Sequence, residues 1–189
     1  MKSSRVIYAA LTALLLAACA APGGSDVPAR VYDLGLTEPA AKPIGARIGQ
    51  VRSTMPLDGT DMQYRLAYHD GAELLSFSQS RWSATPAELV RKRFVRFLDP
   101  AVGTRCTLDI EVNEFSQVFS ARDKSDALVE LRLVLADASG RLAEHTVRVS
   151  LPGAGANAQA GVVIMARATD ESIKRSAAWV GQQSACKAR

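Results

Sequence analysis

From residue 106 to residue 151 the sequence repeatedly alternates apolar with polar side chains. A period of two is typical of strands that have one face in a core and one in water. Residues 137–140 lie between the last two runs and read as a hairpin turn. The alternation slips at Glu114-Phe115, which predicts a bulge or bend. The apolar members of the three runs are Leu108, Ile110 and Val112, then Val129, Leu131, Leu133 and Leu135, then Val147, Val149 and Leu151.

Shorter strands are predicted before this region, at residues 30–36, 46–52, 63–68 and 72–77. Asp70-Gly71 lies between the last two of them, and this dipeptide is a strong hairpin signal. The strands follow one another along the chain with short connections, so the sequence predicts a mainly antiparallel β-sheet.

Two helices are predicted. The first has a capping box, with Thr85 as N-cap, Pro86 at the first helical position and Glu88 two residues later, and it should end near residue 98. The second should run from about residue 158 to residue 183. Its inward stripe at helical spacing is Val162, Ala166, Thr169, Ile173, Ala177 and Val180. We therefore expect an α+β fold in which the sheet is covered by two helices as a two-layer sandwich.

The N-terminus has the three zones of an export signal. Lys2 and Arg5 are followed by an uncharged, mostly apolar run over residues 6–18, which is shorter than the roughly 20 residues that a helix needs to cross a bilayer. The run ends in Leu-Ala-Ala before Cys19, which resembles the bacterial lipobox. We expect cleavage between Ala18 and Cys19 and lipidation of Cys19 with acyl chains such as palmitate. The alternative is an ordinary signal peptide with a cysteine near its end by chance.

The predicted organisation is a lipoprotein signal peptide over residues 1–18, a lipidated flexible tether over residues 19–29, and one α+β domain over residues 30–189. Several acyl chains on Cys19 would hold the protein in a membrane permanently. Ala20, rather than Asp, follows Cys19. By resemblance to enterobacterial sorting, this favours the outer membrane, facing the periplasm, over the inner membrane.

The charge balance gives no reason to expect a nucleic-acid partner. The chain has 23 Lys and Arg against 19 Asp and Glu, and removal of Lys2 and Arg5 with the signal leaves 21 against 19, a net charge of +2. Two of the three cysteines, Cys106 and Cys186, remain after Cys19 is lipidated. In an oxidising compartment they are expected to form a disulfide, and the alternative is two unpaired thiols.

The sequence shows no catalytic constellation, so no enzyme activity, cofactor or metal is expected. Neither histidine, His69 or His145, has a second ligand at metal-binding spacing. The adjacent carboxylates of Asp170 and Glu171 are interpreted as solvated. The basic face of the first helix could bind lipid phosphates or simply be a solvated surface. Its members are Arg91, Lys92, Arg93 and Arg96.

Trp82 and Arg81, just before the first helix, are the candidate interaction residues. Trp82 is either a recognition residue at the surface or a side chain that closes the core between sheet and helix. The second interpretation is favoured.

Several segments in order carry a resemblance to a known family. They are Tyr32-Asp33-Leu34-Gly35, Arg81-Trp82-Ser83-Ala84-Thr85-Pro86, the strands at 108–112 and 131–133, and a last helix ending near Trp179. The chain resembles the auxiliary lipoproteins of ABC-type transport systems, the group that includes the paraquat-inducible lipoprotein C. Ser83 and Thr85 depart from the usual pattern, in which Ala and a further Pro are common.

The resemblance implies a non-enzymatic partner of MCE-domain proteins and an ABC transporter, which together move lipids or other hydrophobic molecules between two membranes. It also implies assembly into homo-oligomeric rings, with which small helix residues such as Ala166, Ala177 and Ala178 agree. The alternative is a structural or assembly lipoprotein of an envelope complex without lipid cargo. Neighbouring permease, ATPase and MCE genes would favour the transport function.

Overall fold

The computed structural model describes residues 28–36, 42–100, 103–153 and 155–186. The predicted signal peptide, the cleavage site at Ala18 and Cys19, and the tether up to residue 27 lie outside these residues. Within them the chain forms nine strands and two α-helices. The strands are β1 (Arg30–Tyr32), β2 (Lys42–Ile44), β3 (Ala46–Ser53), β4 (Asp61–Leu66), β5 (Asp70–Trp82), β6 (Leu98–Pro100), β7 (Cys106–Ala121), β8 (Lys124–Asp137) and β9 (Gly140–Pro152). The helices are α1 (Pro86–Phe97) and α2 (Ala158–Gln182), followed by a 3-10 turn (Ser184–Cys186).

The alternating runs of the sequence form an antiparallel meander of β7, β8 and β9. Their apolar members are buried on one side, as the period of two requires. The pairing of β7 with β8 shifts between Val112 and Glu114, which confirms the predicted irregularity.

The sheet as a whole is mixed, so the predicted antiparallel pairing is found in the meander and in the β4–β5 pair but not throughout the sheet. Its order is β1-β5-β4-β7-β8-β9, with β3 paired to the first half of β7 and β4 to the second half. The pairs β1–β5, β3–β7 and β4–β7 are parallel, and so is the separate two-stranded sheet of β2 and β6. Parallel neighbours come from distant parts of the chain, so no hairpin signal marks them in the sequence.

Helix α1 begins as the sequence predicts. The hydroxyl of Thr85 accepts a hydrogen bond from the backbone N–H of Glu88, and the Glu88 carboxylate accepts one from the N–H of Thr85, each at 3.3 Å. The helix packs on β3 and buries Leu89, Val90, Phe94 and Phe97, among other residues.

Helix α2 packs on β8 and β9. Thr169, Ile173 and Val180 of the predicted stripe are buried, whereas Val162, Ala166 and Ala177 are only partly buried. The remaining buried positions, which the sequence interpretation missed, are Ala158, Gly161, Ile164, Met165, Ala168, Ser172 and Ser176. The buried hydroxyls of Thr169, Ser172 and Ser176 donate to backbone carbonyls one turn earlier, so small polar residues can lie against the sheet without unpaired donors.

The polar residues of the meander form ion pairs across neighbouring strands. Arg132 on β8 binds Glu111 on β7 and Glu144 on β9. Its hydrogen bond to Glu144 lowers the pKa of that carboxyl, and the same pair raises the pKa of Arg132. These charged residues lie on the face of the sheet opposite the buried apolar side chains. They are the polar positions of the alternating pattern in the sequence.

A disulfide closes the fold at its C-terminal end. Cys106, the first residue of β7, is bonded to Cys186, with 5.5 Å between the two Cα atoms, so the predicted pairing is confirmed. The prediction of an α+β fold with two helices is confirmed as well, while the two-layer arrangement stays a prediction. No helix of the described ranges is both long and apolar enough to cross a membrane.

Candidate interaction surface

Three adjoining clefts lie along the first described stretch of the chain, residues 28–36, here called the N-terminal segment. The segment contributes the short edge strand β1, which pairs with the last residues of β5. It then turns at Asp33, whose carboxylate accepts a hydrogen bond from the N–H of Gly35 at 2.7 Å. Gly35 has φ of 77°, a conformation that favours glycine.

Arg93 of α1 fixes the position of this turn. Its guanidinium donates to the backbone carbonyls of Leu34 and Gly35 at 3.1 and 3.0 Å. It also forms a two-bond ion pair with Asp170 of α2, at 2.6 Å from Nε and 2.9 Å from Nη2, and lies 5.2 Å from the ring centre of Phe97. The N-terminal segment, α1 and α2 are therefore joined through one side chain.

Two interpretations of the sequence are corrected at this point. Arg93 has a side chain only 2% exposed, so it is not part of a solvated or lipid-binding basic face. Asp170 is 18% exposed and paired, so it is not a solvated carboxylate. Its neighbour Glu171 does lie at the surface, where it pairs with Arg175. Arg91 is exposed and donates to the carbonyl of Gly49.

An open apolar groove of about 470 Å³ separates the N-terminal segment from the first turns of α2. We call it the valine groove, and define it by Val31, Val162, Val163 and Ala166. Val31 and Val163 are 56% and 63% exposed. The sequence interpretation missed both, although a second valine directly after Val162 was a signal that the helix carries an apolar residue outside its inward stripe.

Four basic side chains lie on the elements next to the valine groove, outside its lining, and we call them the basic rim: Arg81, Lys92, Arg96 and Arg167. Arg81 is the register partner of Val31 in the β1–β5 pair. Lys92 and Arg96 line a second cleft on the other side of residues 33–35. Arg167 follows Val163 by one helical turn. All four are exposed.

Trp82 lies in the core. It is 3% exposed, and its ring meets that of Phe115 edge-on with 5.5 Å between the ring centres. This is the position expected of a side chain that closes the core between sheet and helix. Of the two candidate interaction residues, Arg81 is at the surface and Trp82 is beneath it.

Neither histidine lies in the lining of the three clefts. His69 ends the turn between β4 and β5, and His145 of β9 stacks on Trp179 of α2 at 5.3 Å. Among the residues that the structure describes, no group of three or more His, Cys, Asp or Glu side chains could hold a metal ion.

No family model matches the chain, and no curated protein matches it. Among solved structures, a Xanthomonas campestris protein of the DUF330 family is similar at a TM-score of 0.65 and 17% identity, over 84% of this chain and 96% of that one. An uncharacterised protein is similar at a TM-score of 0.64 and 13% identity, over 81% and 99% of the two chains. A candidate lipoprotein from Caulobacter crescentus aligns at 13% identity over 50% of this chain and 79% of that one, but its TM-score of 0.37 carries no argument. The chain thus shares its fold with the DUF330 protein.

Proposed function

We propose that this protein is a non-enzymatic, lipid-anchored component of an ABC/MCE-type envelope system that transports lipids or other hydrophobic molecules. In this proposal the precursor is cut between Ala18 and Cys19, and Cys19 carries the acyl chains. The domain is then held at the outer membrane, facing the periplasm, and works with an MCE-domain protein and an ABC transporter.

The position of the valine groove carries the proposal. Only eight residues separate Cys19 from Pro28, the first described residue. Pro28 begins the segment that forms one wall of the groove. An anchor at Cys19 would therefore hold the exposed valines near the membrane, where a protein that handles hydrophobic molecules needs an apolar surface.

Two further observations support the proposal. The disulfide between Cys106 and Cys186 suits an oxidising compartment such as the periplasm. Two of the motifs that carry the resemblance to the transport auxiliary lipoproteins, residues 32–35 and 81–86, contribute Tyr32, Leu34 and Ser83 to the lining of the groove.

Replacement of Cys19 tests the anchor. We expect the wild-type protein to be found in the outer-membrane fraction with acyl mass on Cys19. Cys19→Ser should instead give unprocessed precursor or soluble periplasmic protein. Membrane retention of the wild type without acyl mass would contradict the lipobox.

Crosslinking tests the partner. Chemical crosslinking in cells, followed by purification of the protein with its anchor intact, should recover an MCE-domain protein, and cells that carry Cys19→Ser serve as the control. Capture of no transport component, in cells whose transport survives deletion of the gene, would overturn the transport proposal. Capture of structural envelope proteins instead would favour a scaffold without lipid cargo.

Self-association is part of the proposal, as the resemblance implies rings. Mass measurement of the mature protein in detergent should show an oligomer. A mass equal to that of the monomer, even at high protein concentration, would contradict the predicted ring.

A further inference from the structure

We propose that the valine groove and its basic rim form a membrane-docking surface that binds the anionic phospholipid headgroups of the membrane holding Cys19. This inference rests on the proposed function, since it requires the acyl anchor. It goes further in naming the occupant of the groove, which is the lipid surface itself rather than a partner protein.

The length of chain before the domain limits how far this surface can lie from the membrane. The nine Cα–Cα steps from Cys19 to Pro28 span at most about 32 Å even when the chain is fully extended. Val31 follows Pro28 by three residues and lies on the edge strand of the sheet. The tethered end of the domain and the apolar surface are therefore the same end.

The apolar part of the surface is exposed in a way that suits insertion between headgroups. Leu36, at the end of the N-terminal segment, is 81% exposed, and with Val31 and Val163 it is among the most exposed large apolar side chains of the described residues. Single exposed apolar residues are common on proteins, but two of these lie in one nine-residue segment, and Val163 lines the groove beside it. Short apolar side chains next to cations are the composition of surfaces that lie in the membrane interface.

The charges of the surface complement an anionic bilayer. The basic rim supplies four exposed cations: Arg81, Lys92, Arg96 and Arg167. Three acidic residues lie close by. Asp33 accepts a hydrogen bond from the N–H of Gly35, and Asp61 is the register partner of Arg81 on β4. Glu88, one helical turn before Lys92, accepts a hydrogen bond from the N–H of Thr85. Three carboxylates against four cations still leave the surface positive, so anionic lipids should attract it.

The surface is preformed, because Arg93 ties its parts together. The guanidinium holds the carbonyls of Leu34 and Gly35 and pairs with Asp170, one turn beyond Ala166 in α2. Both walls of the groove are thereby fixed to α1, so docking need not order a loop.

A fluorophore at Val163 tests the inference in the intact lipidated protein. When Cys19 is acylated and Cys106 is bonded to Cys186, the cysteine of Val163→Cys is the sole free thiol of the chain. It is labelled with a polarity-sensitive dye, and the protein is placed in phosphatidylglycerol vesicles. We expect the dye in phosphatidylglycerol vesicles to emit at shorter wavelength, and to be quenched less by aqueous iodide, than the same dye in phosphatidylcholine vesicles. Both kinds of vesicle are free of detergent.

Leu142→Cys provides the matched control. Leu142 is an exposed apolar residue on β9, at the sheet edge opposite β1, and should report water in both kinds of vesicle. Arg81→Ala and Arg167→Ala should each lower the equilibrium constant of docking about fivefold, the equivalent of about 1 kcal/mol per basic residue near an anionic surface. Arg141→Ala should leave it unchanged.

The possible outcomes distinguish failure of the membrane-docking surface from failure of the acyl anchor on which the proposed function depends. Acylated protein whose Val163 label is as water-exposed as the Leu142 label overturns the docking surface and leaves the anchor standing. Labels buried equally at both positions also overturn it, because the protein would then lack a preferred face. Burial of the Val163 label only when the transport partner is added would show that a protein, not lipid, covers the groove. Absence of acyl mass would refute the anchor itself.

Discussion

Asp170 compensates a buried positive charge that holds three elements together. Replacing it by Asn keeps the shape of the side chain and one acceptor oxygen, but it removes the negative charge and one of the two hydrogen bonds to the Arg93 guanidinium. Breaking a buried ion pair by removing one partner is strongly destabilising, so we expect Asp170→Asn to lower the free energy of unfolding by about 2–4 kcal/mol. Urea unfolding in a water-soluble Cys19→Ser background measures the loss.

Glu171→Gln is the control for this change, because it alters the next residue of the same helix. Glu171 pairs with Arg175 at the surface, and such a pair contributes less than about 1 kcal/mol. Equal effects of the two substitutions would show that the Arg93–Asp170 pair does not fix the N-terminal segment.

At Gly161, α2 lies directly against the Gln117 side chain of β7. A Cβ at this position would collide with the Gln117 side chain, which is held by its hydrogen bond to the Ser125 hydroxyl at 2.7 Å. Gly161→Ala should therefore destabilise the protein by about 1–3 kcal/mol, as overpacking does. In Gly181→Ala, on the same helix with open space around it, the methyl group should be neutral or add up to about 1 kcal/mol of stability. Urea unfolding should show a lower free energy of unfolding for Gly161→Ala and an unchanged or higher one for Gly181→Ala. Stabilisation by both substitutions would contradict the close packing at Gln117.

Among the elements, the C-terminal end of the chain depends on the disulfide. The bond joins residues 80 positions apart, and loop-closure entropy assigns about 4.5 kcal/mol to a loop of that length. The double variant Cys106→Ser/Cys186→Ser should have a free energy of unfolding lower by about that amount, measured by urea unfolding. A fall of less than about 1 kcal/mol would mean that the unfolded chain is not constrained by the bond. Both cysteines are buried, so reductant should act slowly on the folded wild type.

Local signals in the sequence were enough to predict both helices and the longer strands, but not the short strands β2 and β6 or the pairing of distant strands. The capping box at Thr85 and the alternation of β7 to β9 are encoded within a few residues, and both predictions are confirmed. The parallel pair of β3 and β7 joins residues about 60 positions apart, so it leaves no mark in either segment. The same limit applies to the interaction surface. Arg93 looked like a surface residue because its partners, Leu34 and Asp170, are 59 and 77 positions away.

At the scale of the whole molecule, the length of chain between Cys19 and Pro28 sets how strongly the docking surface is held against the membrane. The effective concentration of a tethered surface falls roughly as the −3/2 power of linker length once the linker exceeds the span. Inserting twenty Gly and Ser residues before Pro28 lengthens the eight-residue link more than threefold. We expect the equilibrium constant of docking, read from the Val163 label in phosphatidylglycerol vesicles, to fall about sixfold while the membrane-bound fraction stays constant, because the acyl chains are untouched. An insertion of two residues is the control and should change little. If the long insertion leaves the label equally buried, docking does not depend on the tether, and the basic rim and the valines bind the membrane on their own.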